Sequence, residues 1–590
     1  MPSMQEIEAM LTGAGGGFEV TIEDVAGVPT KVYAQRMGSL RELFEVVGVR
    51  REETFLVYGE RAVSYGDFVA SCRAGASELA AGPAAIRKGD RVAVAAANCP
   101  EWCQTFWSTV PSGTVLVGLN GWWKRDELLY GLTDSGARVL VADRARYERV
   151  SGLLGACPEL RVVYVIDAEP GELPSPGGRV ELHHARKLFE SSTSPALVEP
   201  CEIDEDDAAV IFYTSGTTGR PKGAVSSHRG MIANLQDTFY LGVAGVLFDA
   251  ASGAGGPSIF AQGEGQTTAL LTSPLFHVSG CHSNLVVAFA AGMRLVIPPG
   301  RFDPELVLAT IEREHVAIWA AVPTMVWRVV DHPRRHEYDL SSVTSIAYGG
   351  SPSAAELQRK VFETFPNVHS VGNAYGLTET SSVATVNRGP DAVDRPDSVG
   401  RPLPVVEVKV VPPECPTAEI AGASGLPAGE VGEVCIKGPV LMLGYWNKPV
   451  ETAEVMAGGW FRTGDLGRLD DDGFVYITDR AKDMIIRGGE NVYCVEIENR
   501  LVESPGIAEA AVVGVAHPTL GEEVKAIVRL EPGATLTAEE VRSFAAETLA
   551  DFKVPAYVEF TEDPLPRNPS GKVLKQVLRG SKDSGFAEAF

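Results

Sequence analysis

The sequence has no CxxC pair and no Cys/His cluster at zinc spacing, and its nine cysteines form an odd, scattered set. That pattern argues against a disulfide framework or a structural zinc, and a reducing cytoplasm is the expected setting. Positive charge is also scarce: 52 Lys and Arg stand against 77 Asp and Glu, a formal net charge of -25. Such a balance repels nucleic acid and anionic lipid, so a polyanionic ligand must be held by a local site. The N-terminus lacks a basic start and an apolar signal core, and no run reaches the ~18 apolar residues of a membrane span. The nearest candidate, residues 284–299, is broken by Gly292 and Arg294.

With 590 residues and 45% hydrophobic content, the chain can bury the cores of two or more domains. "DRVAVAAAN", "CPEWCQTFWSTVPSG" and "TVLVGLN" read as strand, helix, strand, and "MRLVIPP", "ELVLATIEREH" and "VAIWAAVP" repeat the pattern. The expected fold class is therefore α/β: a large N-terminal domain, residues 1–481, of layered and mostly parallel sheets with helices. From about 400 to 480, Pro, Gly and Val enrichment and hairpin-like segments, with Asp472-Gly473 as a turn, predict a β-rich subdomain. Residues 482–590, with helices "CVEIENRLVES" and "TAEEVRSFAAETLA" and strands "AAVVGVA" and "EVKAIVRL", predict a small α+β domain.

The stretch "YTSGTTGRPKGA", Tyr213 to Ala224, places hydroxyls, glycines and a lysine directly after the strand-like "AAVIFYT". It is not a P-loop of the GxxxxGK[ST] kind, because Pro221 stands at the second glycine and Gly223 follows the lysine. Its physics still suits a polyphosphate. Gly216 and Gly219 free backbone N–H groups, Thr214, Ser215, Thr217 and Thr218 supply hydroxyls, and Lys222 supplies charge. Alone, the stretch reads equally as a Gly/Ser/Thr surface turn.

The stretch resembles the phosphate-binding signature of the adenylate-forming superfamily of acyl-CoA synthetases, luciferases and peptide-synthetase adenylation domains. Further signatures follow in that superfamily's order: "PLFHVSG" from Pro274, "YGG" from Tyr348, "NAYGLTET" from Asn373, "WFRTGDLG" from Trp460, "DRAKDMIIRGGENV" from Asp479 and "PRNPSGKVLK" from Pro566. The resemblance spans Ser39 to Leu578 and is nearest to bacterial fatty-acyl and medium-chain acyl-CoA synthetases.

This resemblance implies an ATP-dependent acid–CoA ligase working through an acyl-AMP. It places the ATP phosphates on Thr214, Ser215, Gly216, Thr217, Thr218, Gly219 and Lys222, and the rest of the nucleotide along Gly350, Ser351, Asn373, Ala374, Tyr375 and Gly376. Thr378 contacts phosphate, Glu379 with Thr218 holds Mg2+, and Asp465 and Arg480 take the ribose hydroxyls. Lys572 supplies charge to the transferring phosphate, with Lys575 as a nearby decoy. Lys482 is the hinge, and Gly488, Gly489 and Glu490 meet CoA, with Arg487 available to its phosphate.

By the same resemblance, His277 is expected to gate the carboxylate pocket. The acid pocket draws on His277, His282, Asn284, Val322, Met325, Val326, Tyr348 and Gly349, and histidine at 277 disfavours an amino acid, so a fatty or other hydrophobic acid is expected. Three departures from the family pattern are the Gly-rich 250–266 segment, Ser112-Gly113-Thr114 with Gly118, and Arg487 itself. The other readings are transfer of the adenylate to a carrier protein, its oxidation, or a nucleotide-binding homologue without catalysis. No attached carrier segment is seen, and a homodimer is left open.

Overall fold

In the computed structural model, residues 4–50, 52–190, 201–214, 220–252, 265–350, 355–488, 490–568 and 571–580 are described. Two large sheets dominate. The first has seven strands, in the order Lys222–Ser227, Ala208–Thr214, Val115–Gly118, Arg91–Ala95, Val139–Ala142, Val162–Val165, Glu181–His184. All its pairings are parallel except the terminal one, between Ala208–Thr214 and Lys222–Ser227. Central strands such as "VLVG" and "VLVA" are buried on both faces, as parallel strands covered by helices must be.

The second sheet has nine strands and draws on segments far apart in the chain. Its order is Arg401–Pro402, Ser382–Arg388, Ser370–Leu377, Ser345–Gly349, Ile318–Ala321, Thr268–Leu271, Arg294–Ile297, Thr54–Tyr58, Arg61–Ser64. Helices between the sheets carry the main core. There Phe289 lies 4.2 Å from Trp107, 5.2 Å from Phe55 and 5.9 Å from Phe44 by ring centroids. Aromatic pairs at these separations add to the burial of their own apolar area.

The expected β-rich region is a five-stranded antiparallel sheet running from Glu407–Val411 to Val475–Arg480. Its last hairpin turns at Gly473, which takes a φ of +81°. A further five-stranded sheet begins at Ile485–Arg487 and is packed by the helices Cys494–Val502 and Ala538–Ala546.

Two elements depart from the sequence reading. Residues ahead of Ser39, left outside the family resemblance, form a helix, Met4–Thr12, and a hairpin, Val20–Val25 with Val28–Tyr33. Both pack on the helix His228–Ser252. Among the described residues, that helix, not residues 284–299, is the longest apolar segment. By length and composition it could cross a membrane, but half of that stretch is buried inside the protein. It also carries Asp237, which is 1% exposed and accepts a 2.6 Å hydrogen bond from the Tyr33 hydroxyl. All nine cysteines are free.

Candidate active site

Three chain reversals converge on the site. The first is the hairpin of the opening motif: Thr214 ends one strand, Lys222 starts the next, and the two are register partners. The Thr214 hydroxyl donates to the Lys222 carbonyl at 3.4 Å. The Lys222 ammonium lies 5.1 Å from the centre of the Tyr445 ring. Ser215, Gly216, Thr217, Thr218 and Gly219 lie outside the described residues, as do Ser351 and Gly489.

The second reversal follows the strand Ser370–Leu377, which carries Asn373, Ala374, Tyr375 and Gly376 and ends in the turn Thr378–Thr380. Gly376 is obligatory there, because a Cβ would stand 1.6 Å from the Ser382 carbonyl oxygen. Ser381 and Ser382 both take positive φ, +50° and +123°, a backbone strain typical of functional sites. Gly349 approaches this strand so closely that a Cβ would sit 2.2 Å from the Ala374 carbonyl oxygen. Gly350 has a φ of +83°.

Glu379 is buried at the turn and accepts a 2.9 Å hydrogen bond from the Tyr445 hydroxyl. Burial raises its pKa above the ordinary carboxylate value, against the pull of that hydrogen bond and of Arg480. Tyr445 thus bridges Lys222 and Glu379. Nothing in the sequence pointed to it, since a tyrosine in "LGYW" carries neither charge nor turn signal. Among the described residues no group of three or more His, Cys, Asp or Glu could hold a metal.

The third reversal is the hairpin of Trp460–Leu469 and Val475–Arg480, in which Asp465 and Arg480 are register partners. Asp465 lies within the strand, not in a Gly turn, with Gly464 at a φ of +70° supplying the local twist. Its Oδ1 is 3.0 Å from Arg480 Nε, and its Oδ2 accepts from the Tyr375 hydroxyl at 2.7 Å. The Tyr375 hydroxyl is therefore tied to the carboxylate expected to meet ribose.

Lys572 and Lys575, three residues apart, have opposite environments. Lys575 pairs with Glu498 at 2.8 Å, and that carboxylate outweighs burial to raise its pKa. The Lys572 ammonium has no hydrogen-bonded partner among the described residues. Burial, then Arg480, bring its pKa down to about 7, against the pull of Asp465. An unpaired lysine of this kind, beside the Asp465–Arg480 pair, is a functional-site signature.

Lys482 sits in the turn between Val475–Arg480 and Ile485–Arg487. Its side chain is exposed, yet crowding by neighbouring protein atoms, then the Arg480 charge, lower its pKa. Gly488 has a φ of +61°, and Glu490 is exposed. Arg487 is engaged: its Nε lies 2.5 Å from Glu523, so the expected pairing with a CoA phosphate is not free to form in this arrangement.

The acid side is built on 277–286. His277 precedes the short helix Val278–Gly280, and Cys281–Val286 forms a π-helical turn, a feature that recurs at functional sites. Burial lowers both His277 and His282 to about 4, so both are neutral at physiological pH. His282 Nδ1 donates to the Ser381 carbonyl at 3.0 Å, which leaves its buried Nε2 an acceptor without a partner among the described residues. His277 Nε2 is likewise unpartnered.

Other expected pocket residues are less available. The Asn284 amide is spent on the Ser279 carbonyl at 2.7 Å. Val322, Met325, Val326 and Tyr348 pack into one core cluster, with Val326 fully buried. A polar contact not anticipated from sequence joins Ser283 and Ser382 through their hydroxyls at 2.5 Å. Of the departures from the family pattern, Gly118 has a packing cause: a Cβ there would lie 2.2 Å from the Phe212 ring. Most of 250–266 lies outside the described residues.

Comparison with known proteins gives this geometry its context. The profile of the AMP-binding enzymes matches residues 43–446, and that of the AMP-binding enzyme C-terminal domain matches 496–572. A feruloyl-CoA synthase from Amycolatopsis sp is 34% identical over 532 residues, covering 89% of this chain and 95% of the relative. A long-chain-fatty-acid–CoA ligase from Bacillus subtilis is 32% identical over 512 residues, covering 84% and 86%. Among solved structures, ATP-bound MatB from Rhodopseudomonas palustris aligns with a TM-score of 0.75 at 30% identity, covering 92% of this chain and 98% of that one. An o-succinylbenzoate CoA synthetase from Bacillus subtilis, in complex with its acyl-adenylate, aligns with a TM-score of 0.72 at 28% identity, covering 94% and 100%. By fold, by motif and by both profiles, this chain belongs to the AMP-binding, adenylate-forming enzymes.

Proposed function

We propose that the protein is an ATP-dependent acid–CoA ligase. The observation that carries the reading is Lys572, a partly buried lysine whose ammonium has no hydrogen-bonded partner among the described residues and feels the charges of Arg480 and Asp465. In the first step an acid carboxylate oxygen bonds to the α-phosphorus of ATP, and the bond to pyrophosphate breaks. Lys222 and the hairpin of Thr214 hold the phosphates, Asp465 and Arg480 the ribose, and Thr378 a phosphate oxygen. Lys572 offsets negative charge that grows on the transferring group. A polyanion beside Lys572 favours its ammonium, so ATP binding restores the charge that burial opposes.

Glu379 fits a hard cation: it is a buried carboxylate beside the phosphate hairpin, held by a single tyrosine hydroxyl. Mg2+ bound there, with Thr218, would neutralise phosphate charge. In the second step the C-terminal domain turns about Lys482, Lys572 withdraws, and Gly488, Gly489 and Glu490 face the site. The CoA thiol then attacks the acyl carbon, and AMP leaves with the P–O–C oxygen.

His277 and its neighbours hold the acid, which on the chemistry of the relatives is a hydrophobic one, aromatic or fatty. The setting is cytoplasmic. An amide bond synthetase from Marinactinospora thermotolerans, with a TM-score of 0.75 at 28% identity, keeps another acceptor in view. The test is AMP release with fatty, aromatic and alicyclic acids, with and without CoA. Thioester formation with at least one acid supports the ligase, whereas AMP release indifferent to CoA assigns another acceptor.

A further inference from the structure

The loop that carries Lys572 is braced from within and from outside. Within it, the Asn568 N–H donates to the Lys572 carbonyl at 2.8 Å. The Lys572 N–H donates to Asn568 Oδ1, and the Gly571 N–H to the Asn568 carbonyl, both at 2.8 Å. Gly571 takes a φ of +79°, which turns the lysine out of line with its neighbours.

Outside, two side chains meet at the Gly571 carbonyl. Arg567 Nη1 donates to it at 2.8 Å, and the Thr324 hydroxyl donates to it at 3.2 Å. Arg567 Nη1 also lies 3.3 Å from Thr324 Oγ1. Arg567 is in turn fixed by Glu509, whose Oε1 is 2.8 Å from Nη2 and whose Oε2 is 2.7 Å from Arg529. Despite burial, the two guanidiniums hold the Glu509 carboxyl below its ordinary range. Thr324 belongs to the other side: it sits in the first turn of the helix Pro323–Val330, whose residues Met325, Val326 and Val329 are packed in the N-terminal core. The fit is close, since a Cβ at Gly571 would stand 3.1 Å from Thr324 Oγ1 and 3.3 Å from Val322 Cγ2.

We propose that Thr324, with Arg567, is a latch that seats the Lys572 loop for acid adenylation and is released before thioester formation. Thr324 is thus a positioning residue acting through the Gly571 carbonyl. The segment read from sequence as acid pocket, "AVPTMV", serves this second purpose at its threonine. The inference rests on the two-step reading above, because only a lysine needed in one step profits from a detachable seat. Only two hydrogen bonds cross to Thr324, its hydroxyl to the Gly571 carbonyl and Arg567 to that hydroxyl, few enough to be broken each turnover.

The test uses the full chain with Thr324→Val and the conservative Thr324→Ser, assayed on each half-reaction. For Thr324→Val the kcat of acid-dependent ATP–pyrophosphate exchange should fall roughly 3- to 10-fold, the equivalent of one hydrogen bond. Its KM for ATP should stay put, and CoA attack on supplied acyl-AMP should be unchanged or faster. Thr324→Ser should recover the exchange rate. Gly571→Ala, crowded against Thr324, should reproduce the split if Thr324→Val folds poorly. Equal losses in both half-reactions, or an unchanged exchange rate in a folded Thr324→Val, would overturn the latch alone. Failure of the wild-type chain to exchange pyrophosphate with any acid overturns the ligase reading and the latch with it.

Discussion

Lys572 and Lys575 illustrate how far a side chain's chemistry depends on its partner. Lys575 is spoken for by Glu498, and the Lys572 ammonium has no hydrogen-bonded partner among the described residues. With its pKa near 7, the free protein loses the Lys572 charge as pH rises through neutrality. The adenylation kcat/KM, which reports the free enzyme, should therefore decline above about pH 7, while kcat, measured with ATP in place, should hold to higher pH. Lys572→Arg, whose guanidinium stays protonated, should flatten the kcat/KM profile. Lys572→Ala should abolish pyrophosphate exchange yet leave CoA attack on supplied acyl-AMP largely intact, and parallel loss would contradict the assignment. His277 and His282, both near 4, add no inflection between pH 5 and 8.

At the scale of elements, the helix His228–Ser252 buries an ionisable group where the N-terminal hairpin docks. Burial raises Asp237 from 3.8 to about 8, against the hydrogen bond from Tyr33. The folded protein thus keeps a proton there that the unfolded chain releases above about pH 4. Its contribution to stability is full below pH 3.8 and is lost as pH rises to about 8, at up to about 1.4 kcal/mol per pH unit. Asp237→Asn should raise Tm at pH 7 to 8 and weaken the fall in Tm between pH 5 and 8. A variant whose Tm tracks the wild type at every pH would contradict this.

The elements legible in the sequence were those with local signals. Alternating or continuous apolar runs marked the strands flanking Thr214 and Lys222, and glycine-rich motifs marked the reversals at Gly376 and Gly473. What stayed hidden depends on distant partners. Tyr445 reaches Glu379 across 66 positions, Ser283 meets Ser382 across 99, and Thr324 meets Gly571 across 247. Hydroxyl residues leave no periodic or charge signature, so only the folded chain names their roles. The hairpin ending at Tyr33 fell outside every motif, although Gly27, with a φ of +84°, marks its turn.

For the whole molecule, the Thr324–Gly571 contact offers a way to test the proposed swivel between steps. An ideal Cβ at Gly571 is 3.4 Å from the Thr324 Cβ, close to the separation in a disulfide. Seven of the native cysteines are buried, with only Cys201 and Cys415 partly accessible. The double variant Thr324→Cys, Gly571→Cys should therefore cross-link selectively, although the positive φ of residue 571 will slow closure. Oxidised, it should exchange pyrophosphate but form no thioester, and reductant should restore the second step. Full thioester formation by the oxidised protein would contradict the swivel.

The nine-stranded sheet also governs how the protein is made. Leu56 finds its parallel neighbour in Leu295, and the sheet is not closed until Arg401 and Pro402 join its far edge. A ribosome adding about 5–20 residues per second leaves one edge of the early strand open for roughly 10 to 50 seconds before its parallel partner emerges. Hairpinned early to Arg61–Ser64, the strand still waits with its other edge open while about 240 residues are added, and shielding that edge from other nascent chains is a task for chaperones before the catalyst exists.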